Sequence, residues 1–217
     1  MSDAGWDKIW SKKDFLNTLV NAGRNVYNYF FLRLILRHAD QNTDLAELGC
    51  GTATLSLALS QKIKSYTGID YSEEAVALAI KNTKDHQAKN IQILQGDALD
   101  LPQELLGKFD LVWSQGLAEH FNSLEAIIKA HWLLAKPGAK ILISVPYRYS
   151  YHSIWYLLTR PSFLRRLWPW EDVNTKFLTQ KELLAVGRIL SLSAKIIFLS
   201  PTLIGWLLGV IILKIKK

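Results

Sequence analysis

The chain has 217 residues, of which 49% are hydrophobic and 21% charged, and this balance excludes an intrinsically disordered protein. The length suits one domain with a sizeable core. A formal net charge of +7 favours an anionic partner, and because no basic helix or RNA-type aromatic motif is present, a membrane surface is preferred over nucleic acid. The single cysteine, Cys50, excludes an internal disulfide and a multi-cysteine zinc site.

Residues 1–40 are expected to form a helical segment ahead of the core. Leu32, Ile35 and Leu36 recur at helical spacing within it. Its start carries acidic residues and no apolar run, so no signal peptide is expected and a cytoplasmic location is predicted.

Short apolar segments alternate with helical patterns along the next hundred residues. The strand signals fall at 44–48, 66–70, 91–95, 109–114 and 140–145. This alternation predicts βαβ units and therefore a parallel sheet covered by helices on both faces. Ser72 is expected to cap the helix after the second strand, with Glu73 and Glu74 in its first turn. His131, on the apolar face of the helix from about Leu124, is interpreted as a satisfied boundary residue.

A glycine turn joins the first strand to the helix that follows it. Gly49-Cys50-Gly51-Thr52 comes directly after the strand, and glycine permits positive φ and close approach of a ligand to the backbone. Unpaired N–H groups at the start of the helix would add a partly positive end, so the turn predicts a small-ligand cradle. It departs from the dinucleotide fingerprint at its third glycine. Glu47, two residues before the first glycine, would repel a phosphate.

Acidic residues follow the next two strands. Asp70 closes the second strand, where a carboxylate can accept both hydroxyls of a ribose. Asp97 follows the third strand within Gly96-Asp97-Ala98, where its side chain and the next backbone N–H can contact an adenine edge.

These motifs, taken in order, resemble those of the class I S-adenosylmethionine-dependent methyltransferases, in particular the type 11 and ubiquinone-biosynthesis-like group. Glu47–Thr52 resembles motif I, whose usual last glycine is replaced by Ala53. The other resemblances are the GDA element at 96–98, motif IV with its Glu-His pair at 109–121, and the LKPGG element at 134–139. The resemblance covers about residues 43–146 and extends loosely to 177–184.

The resemblance implies a doubly wound α/β fold over residues 1–217 as a single domain. Its Rossmann-like, seven-stranded sheet should have the order 3-2-1-4-5-7-6, with only strand 7 antiparallel. The expected parts are a helical cap at 1–40, a cofactor-binding core at 43–146, an aromatic and basic insert at 147–177, and a C-terminal helix and strands at 178–217. In such enzymes a leading segment often covers the cofactor, and a helix that merely packs on the sheet is the alternative.

The resemblance also implies methyl transfer from S-adenosyl-L-methionine to a small or lipophilic acceptor, with S-adenosyl-L-homocysteine as the product. The residues expected to contact the cofactor are Glu47, Gly49, Cys50, Gly51, Thr52, Asp70, Tyr71, Asp97, Ala98 and Gln115.

On the acceptor side, His120 is predicted to act as a base if the acceptor must lose a proton, with a purely structural role as the alternative. Acceptor contacts are expected from Tyr147, Tyr149 and His152. Some quinone-precursor members bind a divalent metal through an extra Glu before the Glu-His pair. Residues 116–118 here are Gly, Leu and Ala, so no metal is predicted.

The apolar tail at 196–213 admits two interpretations. Its 18 residues and flanking lysines would permit a short membrane helix. Two closing strands, at 194–199 and 206–215, fit its β-branched composition better and are preferred. The tail and the insert would still allow peripheral contact with the inner face of a membrane.

Two other functions stay open from the sequence. One is a nucleotide- or dinucleotide-dependent enzyme on a similar sheet. The other is a membrane-associated interaction protein with a vestigial cofactor site.

Overall fold

The computed structural model describes residues 28–86, 88–158, 176–189, 193–198 and 209–217, without the side chains at 151, 152, 155, 156, 189 and 198. Three predicted features therefore lie outside the described residues. They are most of the N-terminal cap (1–27), the centre of the insert (159–175) and the turn of the tail (199–208).

Seven strands form the sheet in the described part of the chain. They are β1 (Asp44–Leu48), β2 (Ser65–Asp70), β3 (Ile91–Gln95), β4 (Phe109–Gln115), β5 (Ala135–Pro146), β6 (Ser193–Phe198) and β7 (Val210–Lys216). Their order is β3-β2-β1-β4-β5-β7-β6. The first five strands pair in parallel, and β7 runs antiparallel to both β5 and β6. The predicted order and its single reversed strand are confirmed.

Helices cover both faces of this sheet. They are α1 (28–36), α2 (Thr54–Ser60), α3 (Glu73–Asp85), α4 (Leu124–Leu134), α5 (Tyr151–Leu158) and α6 (Gln180–Ile189). The predicted cap of α3 is confirmed, because the Ser72 hydroxyl accepts a hydrogen bond from the Ala75 N–H at 3.2 Å. Ser123 caps α4 in the same way.

The core lies in two layers because alternate strand residues point to opposite faces. On β4, Trp113 packs in the layer under α1, α2 and α3, with Phe31 and Leu59. Val112, its neighbour, packs in the layer under α4 and α6, with Ile127 and Leu183. Both layers end at the carboxyl edges of β1 to β4.

His131 on α4 is satisfied, as predicted, but it lies in the core rather than at its boundary. Its ring is fully buried. Nδ1 lies 2.7 Å from the Ile127 carbonyl and Nε2 lies 2.8 Å from the Ser114 hydroxyl. Burial lowers the pKa of His131 to about 4, so the ring is neutral at physiological pH.

Strand β5 begins five residues earlier than the sequence suggested. Phe109 on β4 pairs with Ala135, but Leu111 pairs with Lys140, so residues 136–139 bulge out of the ladder. Gly138 adopts a φ of +82° there, and its N–H donates to the Lys217 carbonyl at 2.7 Å. The LKPGG-like element is therefore a bulged strand start that reaches the end of β7.

The tail forms strands, as preferred from its composition. Residues 211–213 of β7 are fully buried between β5 and β6. Within the described ranges, no helix combines the length and apolar character needed to span a bilayer.

Asp44 lies in a cluster of charged residues at the amino edge of the sheet, and this cluster should make the stability of the protein depend on pH. Burial alone would raise the pKa of Asp44, but hydrogen bonds from Lys64, Ser65 and Lys136 outweigh it and lower this pKa to about 2. The stabilisation should therefore be complete above 3.8, the ordinary value, and lost as the pH falls from 3.8 through about 2.

In Asp44→Asn, this acid-dependent part of the free energy of unfolding should be absent, amounting to roughly 1 kcal/mol after allowance for solvent screening. Urea unfolding of the two proteins on both sides of that pH range would measure it. Asp100→Asn, at an exposed position, is the control. Equal acid sensitivity of Asp44→Asn and the parent would contradict the prediction.

Candidate cofactor site

The predicted cofactor residues come together at the carboxyl edge of β1 to β4. The turn after β1 brings its backbone against the neighbouring loop. Gly49 and Gly51 adopt φ values of +68° and +53°, which glycine tolerates. A methyl group added to Gly49 would lie 2.8 Å from Leu117 Cδ1, so the loop after β4 packs directly on the glycine turn.

The backbone N–H groups of the turn are mostly used within the protein, which differs from the expected set of free donors. The N–H groups of Gly49 and Cys50 donate to the Ile69 carbonyl at 2.8 and 3.2 Å. The Ala53 N–H donates to the Cys50 carbonyl at 2.9 Å. The turn therefore offers a ligand a backbone surface without bulky side chains, held in place by internal hydrogen bonds, rather than a row of unpaired N–H donors.

Asp70 is the side chain that fixes the turn. Its Oδ2 accepts from the Gly51 N–H at 2.7 Å, and its Oδ1 accepts from the Ser72 N–H at 3.0 Å. The carboxylate therefore orders the turn from the end of β2, which is the position where the sequence predicts a contact with a ribose.

Asp97 lies beside Asp70 at the end of the next strand. Asp70 pairs with Gln95, and the Gly96 N–H donates to the Asp70 carbonyl at 2.9 Å. The Asp97 side chain is exposed and accepts from the Leu99 N–H at 2.8 Å, while Ala98 is buried. The two acids therefore flank one short stretch of the sheet edge, which fits an adenosine.

Glu47 lies beneath the turn rather than at its surface. Its carboxyl is buried and accepts a hydrogen bond from the Tyr66 hydroxyl. Trp113 lies opposite it in register on β4. Burial raises the pKa of Glu47 to about 7. In this geometry Glu47 supports the turn from below, and its predicted contact with the cofactor stays a prediction.

The remaining predicted cofactor residues differ in what they offer a ligand. The Cys50 side chain is buried and packs where Gly68 leaves room, since a methyl group on Gly68 would lie 2.8 Å from Cys50 Sγ. Burial also raises the pKa of this thiol. Tyr71 is exposed, while Thr52 and Gln115 are half-buried at the same edge.

The predicted base, His120, lies in a 3₁₀ turn at Ala118–His120. His120 Nε2 lies 3.9 Å from Glu119 Oε1, and both side chains are almost fully buried. Lys176 fixes this turn from the far end of the insert. Its backbone N–H donates to the Glu119 carbonyl at 3.2 Å, and its Nζ donates to the Phe121 and Asn122 carbonyls at 2.8 and 3.2 Å.

The predicted acceptor residues lie just after β5. The rings of Tyr147 and Tyr149 meet edge to face, with centroids 5.6 Å apart. Tyr147 also bridges Leu178, and the Arg148 N–H donates to the Leu178 carbonyl at 3.0 Å. The side chain of His152 lies outside the described residues. Their predicted contacts with an acceptor stay predictions.

Three residues that shape the candidate site were not singled out from the sequence. Leu117 and Lys176 act through contacts between distant segments, which no local pattern reveals. Glu119 was noted only as part of the Glu-His pair, and its burial was the missing signal. Burial raises the pKa of Glu119 to about 8, and its Oε2 meets no hydrogen-bond partner in the described part of the chain.

Comparison with known proteins defines the class. Residues 39–174 match the family model described as a methyltransferase domain, which is more than half of the chain. Together with the motif order and the sheet order, this match shows that the chain belongs to the class I S-adenosylmethionine-dependent methyltransferases. The cofactor of this enzyme class is S-adenosyl-L-methionine, and the residues at the sheet edge fit it.

Particular relatives are more distant. The chain is similar to the ubiquinone biosynthesis O-methyltransferase of Acinetobacter baylyi, with 31% identity over 98 residues that cover 45% of this chain and 41% of the relative. The enzyme of that name from Pseudomonas fluorescens is 28% identical over 165 residues, which cover 72% of this chain and 69% of the relative. In the first match the chain spans less than half of the relative's length.

The fold of this chain is similar to that of a methyltransferase of known structure. Magnesium protoporphyrin IX methyltransferase from Synechocystis PCC 6803, with bound S-adenosylhomocysteine, superposes with a TM-score of 0.70 at 16% identity. The likeness covers 99% of this chain and 93% of that chain.

Proposed function

We propose that this protein transfers the methyl group of S-adenosyl-L-methionine to a small or lipophilic acceptor. The observation that carries the proposal is the position of Asp70. Its carboxylate orders the glycine turn through the Gly51 N–H, and Asp70 pairs with Gln95, two residues before Asp97, at the adjoining strand end. A ribose at Asp70 and an adenine at Asp97 would place the rest of the cofactor along the bare turn.

When bound, the cofactor would supply an electrophilic methyl group on a positively charged sulfur. The acceptor atom would bond to that methyl carbon while the carbon–sulfur electron pair stays on sulfur. Where the acceptor carries a hydrogen, His120 would take its proton, so the positive charge lost from sulfur would appear on the imidazolium. Much of the rate should come from holding the two reactants in line.

The protein's own residues divide this work. Asp70 and the turn after β1 fix the nucleoside, and Leu117 joins that turn to the loop that carries His120. Lys176 holds the same loop from the insert side. Tyr147 and Tyr149 are proposed to contact the acceptor from beyond β5.

Ligand binding tests the proposal against the alternatives. S-adenosylhomocysteine should raise the melting temperature and NAD should not. The reverse result would favour a dinucleotide enzyme and overturn the assignment. Conversion of S-adenosylmethionine to its demethylated product in the presence of candidate acceptors would exclude a vestigial site.

We also propose that the acceptor side faces an anionic membrane surface, which would suit a lipophilic acceptor. An apolar patch of Tyr149, Ile154, Leu157 and Leu158 supports this proposal, and its two leucines are 60% and 61% exposed. Arg160, Arg165 and Arg166 follow α5 in the sequence, and the chain carries a net charge of +7. Apolar side chains beside basic ones are typical of interfacial binding.

Cosedimentation with phosphatidylglycerol vesicles at low salt tests the patch. The parent protein should pellet with the vesicles, and the double variant Leu157→Glu/Leu158→Glu should bind at least about tenfold more weakly, because two apolar side chains lose their burial. Leu133→Glu, at an exposed leucine of α4, is the matched control. Absence of pelleting by the parent would refute membrane contact and leave the methyltransferase assignment unaffected.

A further inference from the structure

The Glu119 side chain is buried beside the proposed base without a full set of partners. It is only 3% exposed, and Oε2 meets no donor among the described residues. Buried polar atoms in proteins are nearly always paired, so such an atom calls for a functional explanation. Oε1 faces His120 Nε2 at 3.9 Å.

The backbone holds this carboxyl close to the imidazole. Gly116 adopts a φ of +66°, and a methyl group added there would lie 3.5 Å from Glu119 Oε1. The His120 N–H donates to the Leu117 carbonyl at 3.1 Å, which closes the turn. Lys176 fixes the other side of the turn through the Glu119 carbonyl. The two side chains are therefore held together on a fixed loop.

We propose that Glu119 is a positioning residue that orients the His120 imidazole and controls whether it can take up a proton from the acceptor. This deepens the proposed function, because His120 is the group assigned to accept that proton. The carbonyl oxygen of a neutral carboxylic acid, facing Nε2, favours the tautomer with its hydrogen on Nε2 without adding charge, so that Nδ1 is the basic nitrogen. An ionised carboxylate at the same place would stabilise the imidazolium and leave the ring already protonated.

The burial of Glu119 favours the neutral acid at physiological pH, since it raises the pKa of Glu119 to about 8. The other titratable groups on neighbouring elements are engaged or exposed. His131 is bonded to Ser114 and Ile127, the Lys176 ammonium donates to two carbonyls, and Glu125 and Lys129 of α4 are exposed. The stretch of β5 at 141–146 has no titratable side chain.

An NMR titration tests this coupling in the full chain with S-adenosylhomocysteine present. The His120 ring signal, assigned with His120→Asn, should show a second inflection at the pH where the Glu119 carboxyl signal titrates. That inflection should disappear in Glu119→Gln, whose amide mimics the neutral acid, and persist in Glu125→Gln. A purely structural Glu119 would leave the ring signal without this inflection.

Two outcomes would overturn the proposal. One is a His120 signal in the parent with no inflection where Glu119 titrates, and the other is persistence of that inflection in Glu119→Gln. If Glu119→Gln does not fold, the parent's carboxyl and ring curves decide alone, since a ring curve with no inflection at the carboxyl midpoint refutes the coupling. Failure to bind S-adenosylhomocysteine, measured separately by calorimetry, would refute the proposed function and leave the coupling intact.

Discussion

Gly49→Ala should reduce S-adenosylhomocysteine affinity by more than about tenfold, a loss of at least about 1.4 kcal/mol. The new methyl group would lie 2.8 Å from Leu117 Cδ1 and 3.3 Å from Leu117 Cβ, so Leu117 must move. Leu117 joins the glycine turn to the loop of His120, and its displacement would disturb both halves of the site. Isothermal titration calorimetry measures the affinity.

Gly107→Ala is a matched control for this change. Gly107 has a φ of +65°, close to the +68° of Gly49, but a methyl group there would have no atom within 4 Å. Both variants should lose roughly 1–2 kcal/mol of stability, because a non-glycine residue is strained at positive φ. Only Gly49→Ala should lose ligand affinity. Equal affinities of the two variants would contradict the contact between the turn and the loop.

Asp70→Ala should weaken S-adenosylhomocysteine binding by about 1–3 kcal/mol, the typical effect of losing hydrogen bonds to a charged group. It should also destabilise the free protein, because the Gly51 and Ser72 N–H groups lose their acceptor. Asp70→Asn keeps one acceptor oxygen and should fall between the parent and Asp70→Ala in both measurements.

Calorimetry and urea unfolding would separate these two effects of Asp70. Asp85→Ala, at the exposed end of α3, should change neither quantity by more than about 0.5 kcal/mol. Destabilisation of Asp70→Ala with unchanged ligand affinity would reduce Asp70 to a support for the turn. The ribose contact would then have to be abandoned.

The sheet was predictable because strand and helix periodicities are local properties of the sequence. The limits of β1 and β3 were predicted to the residue, and the order of all seven strands followed from the family resemblance. The early start of β5 was not predictable, because residues 136–139 bulge in response to the end of β7. That interaction joins segments that are far apart in the sequence.

The positions of the candidate site residues were predictable, but their conformations were not. Asp70 and Asp97 could be placed at neighbouring strand ends from strand order alone. Ala53, which replaces the usual last glycine of motif I, has a φ of +52°, where alanine is strained. Backbone angles and the burial of Glu119 depend on tertiary contacts, so the sequence could not reveal them.

The pairing between Tyr147 and Leu178 has a consequence for how this protein could diversify. The bridge, the Arg148 ion pair with Glu182 and the Lys176 contacts close both ends of the intervening segment on the scaffold. Once the ends of a segment are fixed, doubling its length costs only about 0.6 kcal/mol in closure entropy. Changes of length in that segment should therefore cost little stability and leave the glycine turn and the strand ends unaltered.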